Sequence, residues 1–234
     1  MMATNQLTVG LLLFPDMTQL DMTGPYEVFI SLPRTTVHLI WKSLEPVIVG
    51  GGLRMLPTTT LSSCPKLDLI CVPGGPGQVA LMRDSEVLDF LREQAETCRY
   101  VTSVCTGSLV LGAAGLLRGF RATSHWLSLD QLALLGATPV AERVVMDGNR
   151  ITGGGVTSGI DFALFVAAQL FGEDVAKEVQ LRIEYDPAPP FNAGSPRTAD
   201  PALVARLSER LKDRQAARRA VTVEAAQALG LPAS

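Results

Sequence analysis

The stretch Arg99-Tyr-Val-Thr-Ser-Val-Cys105-Thr-Gly-Ser-Leu-Val-Leu-Gly-Ala-Ala-Gly-Leu-Leu117 divides into a strand, a corner and a helix. Tyr100, Val101 and Val104 favour a strand. Thr106 to Leu117 is rich in Ala, Leu and Gly and predicts a tightly packed helix. Cys105 stands at the corner among the small or short polar residues Ser103, Thr106, Gly107 and Ser108. A cysteine just ahead of a helix faces unpaired backbone N–H groups and the positive end of the helix dipole. Both favour thiolate over thiol, so a lowered Cys105 pKa is expected. The layout parallels the strand–turn–helix of hydrolase nucleophiles, although Gly-x-Ser-x-Gly is absent. Position alone allows two readings of Cys105: a nucleophile, or a small buried apolar residue.

The flanking chain supplies further strands and helices. Leu7 to Phe14 and Leu67 to Val72 are continuous apolar runs, as expected of strands buried on both faces. Thr36 to Ser43 reads as another strand. Val47 to Met55 reads as a small hairpin turning at Gly50-Gly51-Gly52, and Val140 to Thr152 as one turning at Asp147-Gly148-Asn149. Asp84 is placed to cap a helix over Ser85 to Ala95. A helix is also read after Trp126, running to Leu135 and ending at Gly136. Ser158 and Asp161 form a capping pair for the next helix, and another runs from about Asp174 to Tyr185. After the Pro-rich loop Asp186 to Pro196, a last long helix starts with Asp200 as cap and Pro201 at its first position. Leu203, Leu207 and Leu211 mark its apolar stripe, while Arg206, Arg210, Lys212, Arg214, Arg218 and Arg219 read as a solvated face. Alternating strands and helices predict an α/β fold: a flavodoxin-like, doubly wound, mostly parallel sheet between helical layers, with small β-hairpin additions. Residues 1–234 read as one domain, with 200–234 as a C-terminal helical extension.

Composition narrows the function classes. The chain has 234 residues, 47% hydrophobic, and a net charge of −3, which gives no electrostatic footprint for nucleic acid. No apolar run reaches membrane-spanning length. Met1 to Gln6 lacks the basic and apolar regions of a signal peptide, so a cytoplasmic protein is expected. The four cysteines (Cys64, Cys71, Cys98, Cys105) are then reduced thiols. With no Cys-x-x-Cys and only His38 and His125, a zinc site is not expected.

Asp21 lies among apolar residues just past the first strand, where open α/β sheets bind ligands. It reads either as a general acid or base with a raised pKa, or as a cap or turn residue. Asp16 with Gln19 resembles a capping box, Pro25 suits a helix start, and Glu27 is a rival acid best placed on the helix surface. Pro73-Gly74-Gly75-Pro76-Gly77 follows a buried strand and can present N–H groups to an anion. His125 is either a base for Cys105 or a structural histidine near a strand end.

Asp21-Met-Thr-Gly-Pro-Tyr-Glu, Val72-Pro-Gly-Gly-Pro-Gly, Ser103-Val-Cys-Thr-Gly, Ala122-Thr-Ser-His-Trp and Thr157-Ser-Gly-Ile-Asp together resemble the DJ-1/PfpI superfamily of class I glutamine amidotransferase-like domains, over about Leu7 to Ala188. Asp21, Thr106 and the segment Ile183 to Pro196 are most similar to its isocyanide hydratase branch. DJ-1-like members usually carry glutamate in place of Asp21, and PfpI-type peptidases histidine in place of Thr106. AraC-type regulators share the core but need a helix-turn-helix module longer than Asp200 to Ser234. The resemblance implies hydration of a small-molecule isocyanide to an N-substituted formamide. Cys105 would be the thiolate nucleophile of a thioimidate pathway, with Asp21 as general acid and base. The Gly75 and Thr106 N–H groups would hold thiolate, substrate or water, and the Thr106 hydroxyl would add a contact. It implies no metal or organic cofactor, no nucleic-acid or membrane partner, and a homodimer. Two alternatives stand beside it: a non-enzymatic small-molecule or redox sensor using Cys105, and a glyoxalase- or hydrolase-like cysteine enzyme.

Overall fold

The computed structural model describes residues 6–232, so residues 1–5 of the N-terminal stretch read above for a signal peptide lie outside the described residues. The strands are β1 (Leu7–Leu12), β2 (Thr35–Trp41), β3 (Val47–Ile48), β4 (Arg54–Met55), β5 (Thr59–Thr60), β6 (Leu69–Val72), β7 (Tyr100–Val104), β8 (Arg121–Ala122), β9 (Thr138–Pro139), β10 (Val144–Asp147) and β11 (Arg150–Gly153). The α-helices are α1 (Gln19–Ile30), α2 (Gln78–Leu81), α3 (Ser85–Ala95), α4 (Gly107–Ala113), α5 (Gln131–Leu134), α6 (Ser158–Phe171), α7 (Glu173–Arg182), α8 (Pro201–Arg210) and α9 (Lys212–Ala228). Seven strands form one sheet in the order β10-β11-β7-β6-β1-β2-β5. All its pairings are parallel except β10 with β11.

The apolar runs explain which strands are central. β6 is buried throughout and β1 nearly so, because helices cover both faces. On one face α1 packs against α6, and Phe29 meets Phe162 edge-on at 6.3 Å between ring centroids. On the other, α4 touches α2, α3, α5 and α9. From β1 the chain winds outward to β2 and β5 on one side, then returns to build β6, β7 and β11 on the other. The reversal opens a crevice at the carboxyl ends of β1 and β6, where such sheets bind ligands.

The Gly50–Gly52 hairpin forms as expected. The second hairpin is no appendage: its strand β11 pairs with β7 and extends the main sheet. Three local expectations are corrected. Helix α1 begins at Gln19, so Pro25 lies inside it rather than at its start. The burial of Met22, Val28 and Phe29 on one face holds the helix together across the backbone bond that proline removes. Asp16 has a left-handed φ of 57°, and the N-cap position falls to Thr18, which makes no side-chain cap bond. At α6 the cap position is Thr157, again without a side-chain bond, because Asp161 is drawn to Arg143 Nε at 2.8 Å and to the Tyr185 hydroxyl at 2.9 Å.

The C-terminal extension also differs. Its single expected helix divides at Leu211 into α8 and α9. The Asp200 cap forms, accepting from Ala202 N–H at 2.7 Å. In α9, Arg218 is buried together with Val221, Thr222, Ala225 and Ala226, so the basic stretch is not wholly a solvated face. The spacing of these five positions places them on one side of a helix, turned toward α4 and α5.

Gly107 opens α4 directly against the end of β6. A Cβ there would lie 2.0 Å from the Val72 carbonyl oxygen and 2.7 Å from that of Pro73. Neither backbone group can swing aside. Gly107→Ala is therefore expected to destabilise the fold by about 2 kcal/mol or more in urea unfolding; an unchanged midpoint would show that strand and helix separate more freely than this.

Candidate active site

Three chain segments meet in the crevice. The first is Asp21 in the opening turn of α1, just beyond β1. The second is the Gly-rich loop beyond β6, and the third is Cys105-Thr106 beyond β7. The corner is held in a left-handed conformation, with φ of 56° at Cys105, unusual for a residue with a Cβ. Its surroundings fix it there. Cys105 N–H donates to the Gly153 carbonyl at 3.0 Å, and the Cys105 carbonyl accepts from the Ser108 and Ser124 hydroxyls, each at 3.1 Å. Such a strained residue, pinned on both sides, aims its side chain where relaxed backbone would not.

The loop fastens the other two segments. Gly74 N–H donates to Asp21 Oδ2 at 2.9 Å, and Gly75 N–H donates to Thr106 Oγ1 at 3.1 Å. A Cβ on Gly74 would sit 2.5 Å from Thr106 N and 2.9 Å from Asp21 Oδ2. The four residues singled out for the site (Asp21, Gly75, Cys105 and Thr106) are thus brought together. Their hydrogen bonds differ from the simplest expectation, since the Gly75 N–H is already engaged by the Thr106 hydroxyl. The Thr106 N–H instead favours the ionised form of the Cys105 thiol.

Asp21 is fully buried, which favours its neutral form and pushes its pKa up to about 7; the Gly74 N–H and the Cys105 thiol pull it back only in part. Oδ1 is left without a well-formed hydrogen bond. Cys105, only 5% exposed, is also pushed up, first by burial and then by the charge of Asp21; Thr106 N–H and Arg218 oppose this. The lowered pKa expected of Cys105 is therefore reversed. The N–H groups at the start of α4 are present, but desolvation outweighs them. Two neighbouring acids, each holding its proton tightly, cannot both ionise easily and titrate as a pair.

His125 takes the structural role: its Nδ1 accepts from Leu127 N–H at 3.3 Å. Burial, then Arg218 and Arg214, keep it neutral. Glu27 is exposed on the outer side of α1, away from the crevice. Cys64, Cys71 and Cys98 are free thiols, all pushed up chiefly by burial.

A cavity of about 150 Å³ opens onto the corner, lined by Gly75, Cys105, Thr106 and His125 and walled by Arg214 and Arg218 of α9. A larger one, about 310 Å³, adjoins it and shares His125 and Val156. Arg218 is the site residue that sequence reading assigned elsewhere. Its signal was its place, one turn ahead of Val221 and Thr222 on the apolar side of the helix.

Residues 8–169 match the family model for the DJ-1/PfpI family. An isonitrile hydratase of Pseudomonas putida is 57% identical over 225 residues, covering 96% of this chain and 99% of that protein. A ThiJ/PfpI family protein from Pseudomonas syringae superposes with a TM-score of 0.91 at 43% identity, over 93% of this chain and 91% of the other. Drosophila melanogaster DJ-1beta gives 0.70 at 26% identity, over 77% and 98%. The helices α8 and α9 lie beyond the span of the family model.

The Asp21 pKa has a consequence for stability. Because it rises from 3.8 to about 7 on folding, the native state holds more protons than the unfolded chain between those values. Stability from this group is thus fully present below pH 3.8 and lost as the pH climbs to about 7. Asp21→Asn is expected to remove that downward slope in urea titrations across this window; an equal slope in both proteins would place the titration elsewhere.

Proposed function

The chain belongs to the DJ-1/PfpI family, and we propose that within it the protein is an isonitrile hydratase, adding water to R–N≡C to give the formamide R–NH–CHO. The near-full-length similarity to the Pseudomonas putida enzyme carries this reading. A buried thiol beside a buried carboxyl, at the mouth of a small cavity, supports it.

The terminal isocyanide carbon must accept a nucleophile and a proton together. Asp21 and Cys105, holding one proton between them, supply both. The sulfur bonds to the carbon, and Asp21 delivers the proton to the same carbon. The product is a thioimidate, R–N=CH–S–Cys105, with Asp21 left as carboxylate. In the second stage Asp21 takes a proton from water as the water oxygen bonds to the carbon, then passes that proton to nitrogen. The tetrahedral adduct R–NH–CH(OH)–S–Cys105 collapses when the hydroxyl proton goes to Asp21 and the C–S bond breaks. Formamide leaves, and the pair again shares one proton. Splitting one difficult addition into two easier steps is covalent catalysis.

An acid of pKa near 7 suits both directions of transfer at neutral pH. The Thr106 N–H holds the developing thiolate, while the Thr106 hydroxyl, fixed by Gly75 N–H, orients substrate at the mouth of the site.

Formamide formation from an aryl isocyanide, followed by ultraviolet absorbance, tests the reading. Wild type is expected to turn over and Cys105→Ala to be inactive. Asp21→Asn should stay folded and lose about 10²–10⁴-fold in rate; near-normal turnover would remove Asp21 from the chemistry. No turnover by reduced wild type would overturn the hydratase reading for that substrate class. The homodimer implied by the family is part of the same proposal. Sedimentation velocity at micromolar concentration should show a dimer, and a monomer would remove it.

A further inference from the structure

We propose that Arg218 is the counter-charge of the Cys105–Asp21 pair: a buried guanidinium, carried in by the C-terminal helix α9, that balances the single negative charge the pair holds when it is ready to react. It is a positioning residue, acting through Cys105, and this role rests on Cys105 being the nucleophile of the reading above.

Arg218 is only 5% exposed. Nη1 donates to Ser128 Oγ at 3.0 Å and to Gln215 Oε1 at 3.1 Å. With the Gln78 amide turned so that its oxygen faces the guanidinium, Nε donates to it at 2.9 Å. All three acceptors are neutral. Among the described residues, no Asp or Glu forms an ion pair with Arg218. Arg219, its neighbour, pairs with Asp130 at 2.8 Å on the exposed side. A cation is costly to bury without an anion. Within the cavity the acidic group is Cys105, and the other facing groups are Arg214, which is exposed and positive, and His125, which is held neutral. Asp21 approaches Cys105 from α1 and adds the other acid. The charged groups around Cys105 are thus one carboxyl from α1 and two guanidiniums from α9, the buried Arg218 and the exposed Arg214.

The balance is consistent from both ends. Arg218 favours the ionised form of Cys105, and Cys105 in turn favours the ionised form of Arg218, which burial and Arg214 disfavour. Doubly protonated, the pair has no thiolate to attack with. Doubly ionised, it has no proton to give. One fixed positive charge favours the intermediate state that the reaction uses. Arg218 lies outside residues 8–169, the span that matches the family model.

The test reads Cys105 directly, without isocyanide. Reduced protein is alkylated with neutral iodoacetamide from about pH 6 to about pH 9, and modification of Cys105 is followed by peptide mass. Opening the cavity would scale the whole rate profile; removing the charge displaces it along the pH axis. Arg218→Gln is expected to move the profile up by about one pH unit, an approximately tenfold slower reaction at a fixed pH on its rising limb. Arg218→Lys should stay near wild type, and the exposed Arg219→Ala should not move it. Gln78→Glu keeps the guanidinium in place but neutralises it, and should reproduce the upward displacement even if Arg218→Gln does not fold. A profile unmoved in Gln78→Glu and in folded Arg218→Gln would overturn the proposal, as would a Lys variant displaced as far as the Gln variant. If the displacement appears but wild type does not hydrate isocyanides, the counter-charge stands and the hydratase reading fails. If turnover is intact and no profile moves, the reverse holds.

Discussion

At Gly74 the backbone leaving β6 passes so close to Thr106 and Asp21 that not even a methyl group would fit between them. Much of the site's geometry follows from that approach. It lets one short loop bind Asp21 through one N–H and Thr106 through the next, so the three strand ends converge without a side chain to space them. The same closeness recurs one step along at Gly107, where α4 starts against the Val72 and Pro73 carbonyls. Cys105 is then forced into its left-handed corner by neighbours that leave no alternative path. Strain at one residue is maintained by hydrogen bonds at many.

Desolvation governs the chemistry as firmly as geometry governs the position. In water, Asp21 would be ionised and Cys105 mostly protonated near neutrality. In the crevice both acids hold their protons more strongly, and the carboxyl titrates near 7. A low dielectric makes the difference between sharing one proton and sharing two a large energy. The polar contacts available (the Gly74 and Thr106 N–H groups and the Arg218 guanidinium) temper that effect without cancelling it.

Long, uniform features were legible in the sequence. The apolar runs of β1 and β6, the cap at Asp84 and the turn at Asp147-Gly148-Asn149 depend on residues close together in the chain, and each appears in the structure. So did the meeting of Asp21, the Gly-rich loop and Cys105, because each follows a strand of one parallel sheet. What local pattern could not show depends on contacts distant in sequence. Pro25 lies within α1 because the core on α6 rewards an unbroken helix there. Asp161 leaves its cap for Arg143 and Tyr185. The ionisation of Cys105 went the opposite way because the helix start is visible in sequence, whereas the depth of burial is not. Arg218 was hidden among five other basic residues, and only its register with Val221 and Ala225 distinguishes it.

That the cavity's wall belongs to α9 has a consequence for how the protein is made. Synthesis proceeds from the N-terminus, so the sheet, Asp21 and Cys105 emerge well before the helix that completes their enclosure. A nascent chain can collapse its core around the corner while the cavity still lies open on one side. The Cys105 thiol thus gains its complete surroundings only once the late-made helix, which carries Arg214 and Arg218, is in place.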